Sequence, residues 1–451
     1  MHLHVFANPL RGAKSYARLP ASRFISSMAL MAGLLAAGPV LAQQAPVLIS
    51  NGEVRGEAVT LTPGERLIVA SDGTLDVANG EAVGVEGVSI SPESGFSPPS
   101  VVTNDGAIFG DGAGVLVSDG AFAQITNSGD ITARADGLQL NGADAQVVNS
   151  GTIEATGGSN AHGIFSDGDN ADIRSSGTIT AVNGDGIDAS GEAAQINNSG
   201  DIAVGSFGVV SQGDGSSIIN SGSVNAGAVG LDSRGDSDVI TNSGVVVSDD
   251  DGVRSTGADA VITNSGTITA DEDAAISMEG GNGQLTNTGR VSSANGFAVQ
   301  GNGQDQTVIL GAGSQIIGAV DLGGGADSVT IAGADVSAVL AMQGVEEFSF
   351  ADDLAVTVQT DGATTTATIV ELTAVSALND TTHTAMGSAH GAIQQQAGVA
   401  GAWASVFGVS RSIDDDGAAV AYSHDTAGLM AGYETTVGTG HLGIVGGVSN
   451  S

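Results

Sequence analysis

Small aliphatic residues return along the chain in three columns, at a beat of about 22 residues. The frame is set by the asparagine of an NSG-type motif: Asn127, Asn149, Asn198, Asn220, Asn242, Asn264 and Asn287, with Ser175 standing where the third would fall. Successive intervals are 22, 26, 23, 22, 22, 22 and 23 residues. Two positions before each frame residue stands Ile, Val or Leu, from Ile125 and Val147 to Leu285; four positions after it stands Ile or Val, from Ile131 to Val291. A third column runs Leu116, Leu138, Ile164, Ile187, Val209, Leu231, Val253, Ile276, four positions before a glycine column that begins Gly120, Gly142, Gly168. No position in the three columns is polar. A second glycine column, Gly129 to Gly289, lies two residues after the frame position.

Three short strands per turn, joined at corners, cannot bury their apolar faces alone. Stacking one turn on the next covers them, and each covered aliphatic contributes on the order of 1.5–3 kcal/mol. The pattern therefore predicts an all-β chain folded as a right-handed parallel β-helix, with turns about 4.8 Å apart. The glycines are expected at corners that need positive φ. The asparagine shares the inward parity of the aliphatic two residues before it, so the stack is expected to form a buried amide-to-amide ladder.

The pattern also divides the chain. Residues 1–42 combine a basic start (Arg11, Lys14, Arg18, Arg23) with an apolar run ending in small residues, the signature of a secretory signal peptide. Residues 43–100 read as an N-terminal cap of irregular short strands, with a break at "SPPS" (97–100), and 101–301 as the repeat array. Residues 302–372 read as further coils on a shorter beat, and 373–398 as a partly helical linker. Over 399–451 alternation returns, with Trp403, Phe407 and Val409 on one face of the first segment, then Leu429, Ala431 and Tyr433, then Leu442, Ile444 and Val448. Segments of about ten residues with one apolar face suit transmembrane β-strands.

Composition narrows the function. Formal net charge is −38, with 50 acidic against 12 basic residues, and the only lysine lies in the leader. Such a surface repels nucleic acid and anionic headgroups, so no nucleic-acid partner is expected. There is no cysteine, and aromatics make up 3%, which excludes a core built on rings.

Several motifs invite chemistry, and each has a plainer explanation. "SRGDS" (233–237) contains the adhesion tripeptide Arg234, Gly235, Asp236, yet Gly235 belongs to the glycine column and acidic residues follow that glycine in other turns. "LGGGADSVT" (322–330) matches one imperfect copy of a calcium nonapeptide through Gly323, Gly325 and Asp327; a plain β-corner is the better reading of a single copy. The acidic runs Asp249–Asp251 and Asp271–Asp273 could supply a carboxylate pair for glycan cleavage, although solvated loop charge is the simpler reading. His162 is the sole histidine of the array, and no G-x-S-x-G setting, phosphate loop or zinc spacing is present. A non-enzymatic protein without cofactor is expected.

The leader, the NSG-type coils, "GVEEFSF" (344–350), and "WASVFG" followed by "YSHDTAGLMAGYE" together resemble the autotransporter family of Gram-negative bacteria. The resemblance implies a passenger at the cell surface or released from it, and a C-terminal outer-membrane barrel placed by the barrel-assembly machinery. It leaves a host receptor or glycan as the passenger's partner, in an adhesive or structural role. Bacterial barrels have at least eight strands, whereas three candidates are present and the sequence ends "VSNS". An incomplete barrel is therefore expected, from a fragment of a longer protein or a truncated, non-functional product. The rival reading from another class is a secreted polysaccharide lyase or glycosidase built on the same rod.

Overall fold

The computed structural model describes residues 45–86, 98–118, 122–158, 160–333, 336, 339–351, 354–361, 364–371, 401–413, 422–437 and 440–450. Every regular element among them is a strand. The described residues between 47 and 343 wind into a parallel β-solenoid whose strands fall in three sheets, and each internal strand pairs with its counterparts one turn earlier and one turn later. The second sheet has 12 strands, one for each complete three-strand turn. The expected signal peptide and the expected helical linker (373–398) lie outside the described residues.

Register follows the sequence frame. Ile125 pairs with Val147 and Asn127 with Asn149, Ile131 with Ile153, and Leu138 with Ile164. These aliphatic columns are buried and form one continuous core cluster along the solenoid. At the first turn of the third column the expectation slips by one residue. Val115, not Leu116, pairs with Leu138 and is buried, while Leu116 turns outward beside Gln139. The connection from Val117 to Ala123 is one residue longer than that from Leu140 to Ala145, so counting back from Asn127 overshoots. Gly120, the glycine used for that count, lies outside the described residues.

Frame asparagines form the ladder. Asn104 Nδ2 donates to Asn127 Oδ1 at 2.7 Å, Asn127 to Asn149 at 2.8 Å, and Asn149 to Ser175 Oγ at 3.1 Å. The series resumes from Asn198 to Asn220 at 2.9 Å, Asn220 to Asn242 at 2.8 Å, Asn242 to Asn264 at 2.8 Å and Asn264 to Asn287 at 2.7 Å. Ser314 Oγ closes it, accepting from Asn287 at 2.6 Å. Each buried amide thus offsets its desolvation cost by donating to the frame residue of the next turn, an asparagine or, at Ser175 and Ser314, a serine.

The glycine columns have a different cause from the one expected. Gly168, Gly191, Gly213, Gly235, Gly257 and Gly280 do not take positive φ; the left-handed residue lies two positions further on, at Asn170, Ala193, Gly215, Ser237, Asp259 and Asn282. What forbids a side chain at the glycine is the turn below: a Cβ at Gly168 would strike the Gly142 carbonyl, and one at Gly244 the Gly222 carbonyl. Backbone passes directly over backbone, so the columns are glycine on glycine.

The segment 45–86, expected to be an irregular cap, is already wound into the same three sheets: Val47 pairs with Leu67, Val54 with Thr74 and Val59 with Val83. "SPPS" is no break at its last residue, because Ser100 opens the strand Ser100–Asn104. At the other end, Val339–Gln343 pairs antiparallel with Thr364–Glu371, which forms a hairpin with Leu354–Asp361. That change of direction ends the parallel stacking in the third sheet.

Residues 401–450 form a separate three-stranded antiparallel sheet of 13-, 16- and 11-residue strands. Ala402 stands opposite Tyr433 and Tyr433 opposite Ile444. One face therefore carries Val406, Leu429, Tyr433, Leu442 and Ile444, all exposed. Trp403 lies on the other face, over Gly432, where a Cβ would meet its indole ring. The first segment's apolar side thus differs from the expected one: small residues and Val406, rather than Trp403, join the exposed face.

Candidate functional site

Outward positions of the third sheet break the monotony of the solenoid. Directly before the strand, a glycine column (Gly137, Gly163, Gly186, Gly208, Gly230, Gly252) leaves no room for a side chain; at Gly186 a Cβ would sit 2.5 Å from the Gly208 carbonyl oxygen and from Ile202. The residue before each of these glycines changes with every turn: Asp136, His162, Asp185, Phe207, Val229, Asp251. The outward residue at the strand centre changes too: Gln139, Phe165, Asp188, Val210, Asp232, Arg254. Several of them are buried although they point away from the core, among them Asp185, Asp188, Val210, Val229 and Asp232.

Two polar clusters result. In the first, His162 Nδ1 lies 3.3 Å from Asp185 Oδ2 and 3.2 Å from the Asp185 amide nitrogen. The His162 amide donates to Asp136 Oδ1 at 2.8 Å, and the imidazole stacks on Phe165 with centroids 5.7 Å apart. Asp185 Oδ1 accepts the Phe207 amide at 3.0 Å. Asp188 Oδ1 accepts Gln212 Nε2 at 2.9 Å.

Electrostatics in this cluster follow from the geometry. The hydrogen bond to Asp185 raises the His162 pKa against the opposing effect of burial, and the charges of Asp185, Asp136 and Asp188 add to the rise. Burial works to raise Asp185, but its hydrogen bonds from His162, Ser206 and Phe207 outweigh it and hold the carboxyl below its ordinary value. Burial pushes Asp188 up and Asp136 up.

The second cluster centres on Asp232, which is fully buried. Arg234 Nε donates to its Oδ2 at 2.7 Å, while Arg254 donates from Nε to Oδ1 and from Nη2 to Oδ2, both at 2.9 Å. Both guanidinium groups lie over the Phe207 ring, at 5.3 and 5.5 Å from its centroid. Two fork-like donors on one carboxylate, stacked on an aromatic, make a rigid arrangement.

These contacts place the adhesion tripeptide. Arg234 is folded back onto Asp232 rather than extended, and Asp236 Oδ1 accepts the Ala258 amide of the next turn at 2.8 Å. Gly235 stacks over Gly213. Both charged side chains of the tripeptide are engaged within the solenoid.

The nonapeptide-like turn also has its place. Gly323 and Gly325 take positive φ. Asp327 points into the interior, in the buried position that Gln306 and Gly283 occupy in the two preceding turns. Its Oδ1 accepts the Gln306 amide at 2.7 Å, and burial, together with Glu346 and Asp305 but against that hydrogen bond, pushes the carboxyl up to about 6. In the acidic loops, Asp249 and Asp271 face solvent. Asp251 is buried, accepts the Ala274 amide at 3.1 Å and is pushed up to about 6 by burial and by Asp273 and Glu279, with Arg254 opposing.

Sequence reasoning singled out His162 and passed over Asp136, Asp185, Asp188 and Asp232. One signal bears on Asp136 and Asp185: the position preceding the third glycine column, which stacks turn on turn yet changes its residue from each turn to the next.

Comparison with protein-family models, with curated proteins and with solved structures gave no match. What is shown is a class of architecture, a parallel β-solenoid of twelve three-strand turns.

Proposed function

We propose that this chain is an autotransporter-like protein of the cell surface: an exported, non-enzymatic solenoid passenger, adhesive or structural, followed by strands of an outer-membrane β-domain. The observation that carries the reading is the sheet at 401–450. Its strands are long enough to cross a hydrocarbon layer, which takes about 9–11 tilted residues, and one face exposes Val406, Leu429, Tyr433, Leu442 and Ile444 together. Such a face is costly in water and suited to lipid. No helix of the described residues is long and apolar enough to span a membrane, which leaves strands untouched as a means of doing so.

Support for a presentation role comes from the division of labour in the solenoid. Its interior and its glycine corners are spent on stacking. Outward positions vary from turn to turn, and those of the third sheet gather His162, Asp185, Asp188, Asp232 and two arginines in contact with one another, which makes that face the surface best fitted to a receptor or glycan.

The test is surface labelling of cells that make the protein. Antibody against 123–293 is expected to bind intact cells, the signal is expected to vanish after external protease, and 401–450 is expected to fractionate with the outer membrane. Labelling only after permeabilisation would overturn the reading.

One observation favours glycan cleavage as a second reading. Asp251, with its carboxyl near 6, has the proton affinity of a general acid. Turnover of a glycan panel that disappears in Asp251→Asn would support it; inactivity across the panel would retire it.

A further inference from the structure

We propose that His162, Asp185 and Asp188 form a binding site for one divalent transition-metal ion of the zinc class, bridging two adjacent turns of the solenoid. Ligand atoms of the three residues all lie within 4.8 Å of one another. His162 Nδ1 and Asp185 Oδ2 are 3.3 Å apart. Two ligands of a tetrahedral ion with bonds of about 2.0–2.1 Å lie roughly 3.3 Å apart, so this edge already has the required length. Closing Asp188 onto the same ion asks for a side-chain movement of about 1.5 Å or less on that geometry.

A second observation points to a ligand independently of the spacing. Asp188 is 8% exposed, and among the described residues its one hydrogen bond comes from Gln212, to Oδ1. Oδ2 is left without a donor. Asp188 thus has one oxygen tied down by the protein and one without a donor, while Asp185 is anchored by the Phe207 amide and by Ser206 with Oδ2 facing the imidazole, the kind of outer support that orients metal ligands elsewhere. Phe165 packs against the ring and limits its rotation.

Charge argues the same way. Three carboxylates, Asp136, Asp185 and Asp188, surround one imidazole, and among the described residues no arginine forms an ion pair with any of them. A divalent cation offsets that excess. The nitrogen ligand and the low ligand count select zinc-class ions over calcium and magnesium, which prefer six or more oxygens. Three protein ligands leave a fourth position for water or for a group on a partner. The site goes beyond the proposed surface role and does not depend on it.

The test uses the whole purified chain, stripped with chelator and titrated calorimetrically with zinc chloride and, separately, calcium chloride. One zinc per chain is expected, weakened at least tenfold in His162→Gln and in Asp188→Asn and unchanged in Asp271→Asn, a change in an exposed loop. Cobalt loaded into the unmodified chain is expected to show the visible bands of a tetrahedral site, a readout independent of whether any variant folds. Weak binding of several ions that ignores the His162 and Asp188 substitutions, equal binding of calcium, or a cobalt spectrum of the octahedral kind would each overturn the site.

Discussion

The interior of the solenoid and the outward face of its third sheet are built on the same turns and obey opposite rules. Inside, like meets like: Asn220, Asn242 and Asn264 hand one hydrogen bond to the next, and Gly222, Gly244 and Gly266 stack backbone on backbone. Outside, Phe165, Asp188, Val210, Asp232 and Arg254 succeed one another on neighbouring strands, and no residue lies beside its own kind. A stack that must continue has to present the same surface above and below, so its interior tolerates little change. The outward face carries no such condition, and it is there that a buried carboxylate meets two guanidinium groups and an imidazole meets three carboxylates.

The sharpest way to break the comparison is to put a side chain where the interior allows none. Gly244→Ala places a methyl group against the Gly222 carbonyl, and backbone cannot swing aside as a side chain can. We expect a loss of about 3 kcal/mol or more, read as a lowered midpoint in denaturant. A loss below about 0.5 kcal/mol, the range of ordinary surface changes, would show that the turns are not in contact there.

A smaller effect is expected on the outward face, and it depends on pH. The Asp251 carboxyl titrates near 6 in the folded chain, above its ordinary value, because burial disfavours its charge. The folded state therefore holds the proton more tightly than the unfolded state. The stability Asp251 contributes is fully present below its ordinary value near 3.8 and is lost as pH rises through about 6. Thermal melts between pH 4 and 8 should show the wild type losing stability across that window. Asp251→Asn should reduce that slope, leaving the share of Asp327, which is pushed into the same range, and match or exceed the wild type at pH 8; an unchanged slope would remove the group from the account.

The smallest expected effect is a gain. Ser175 is the one frame position from 127 to 287 without an amide, and Asn149 donates to its hydroxyl instead. Ser175→Asn should join the two halves of the ladder and stabilise the solenoid by about 0.5–1.5 kcal/mol, the net value of a buried hydrogen bond. A destabilised variant would mean that the turn has closed around serine and that the interior is less uniform than its pattern.

Much of the fold was legible because a solenoid writes its contacts at a constant offset. Ile240 and Ile262 are 22 residues apart in the chain and adjacent in the sheet, so periodicity is contact. The slip at Val115 was not legible, since a single extra residue before Ala123 moves the frame without leaving a mark. The left-handed positions were misassigned for a related reason: Asp144, Ala193 and Ser237 share a backbone conformation but no side chain, and glycine drew the eye to the wrong column. The clusters around His162 and Asp232 were only faintly legible, because neighbouring turns carry different residues at those positions.

By itself the sequence determined the parallel stack, its three buried columns and the asparagine ladder, because each requires the same residue at the same offset in every turn. Only the tertiary structure decided why the corners are glycine, which way Arg234 points, and that His162, Asp185 and Asp188 converge. Those outcomes depend on how closely one backbone passes over the next in space, which residue identities do not express, and on which side chains happen to overlap there, which does not repeat along the chain.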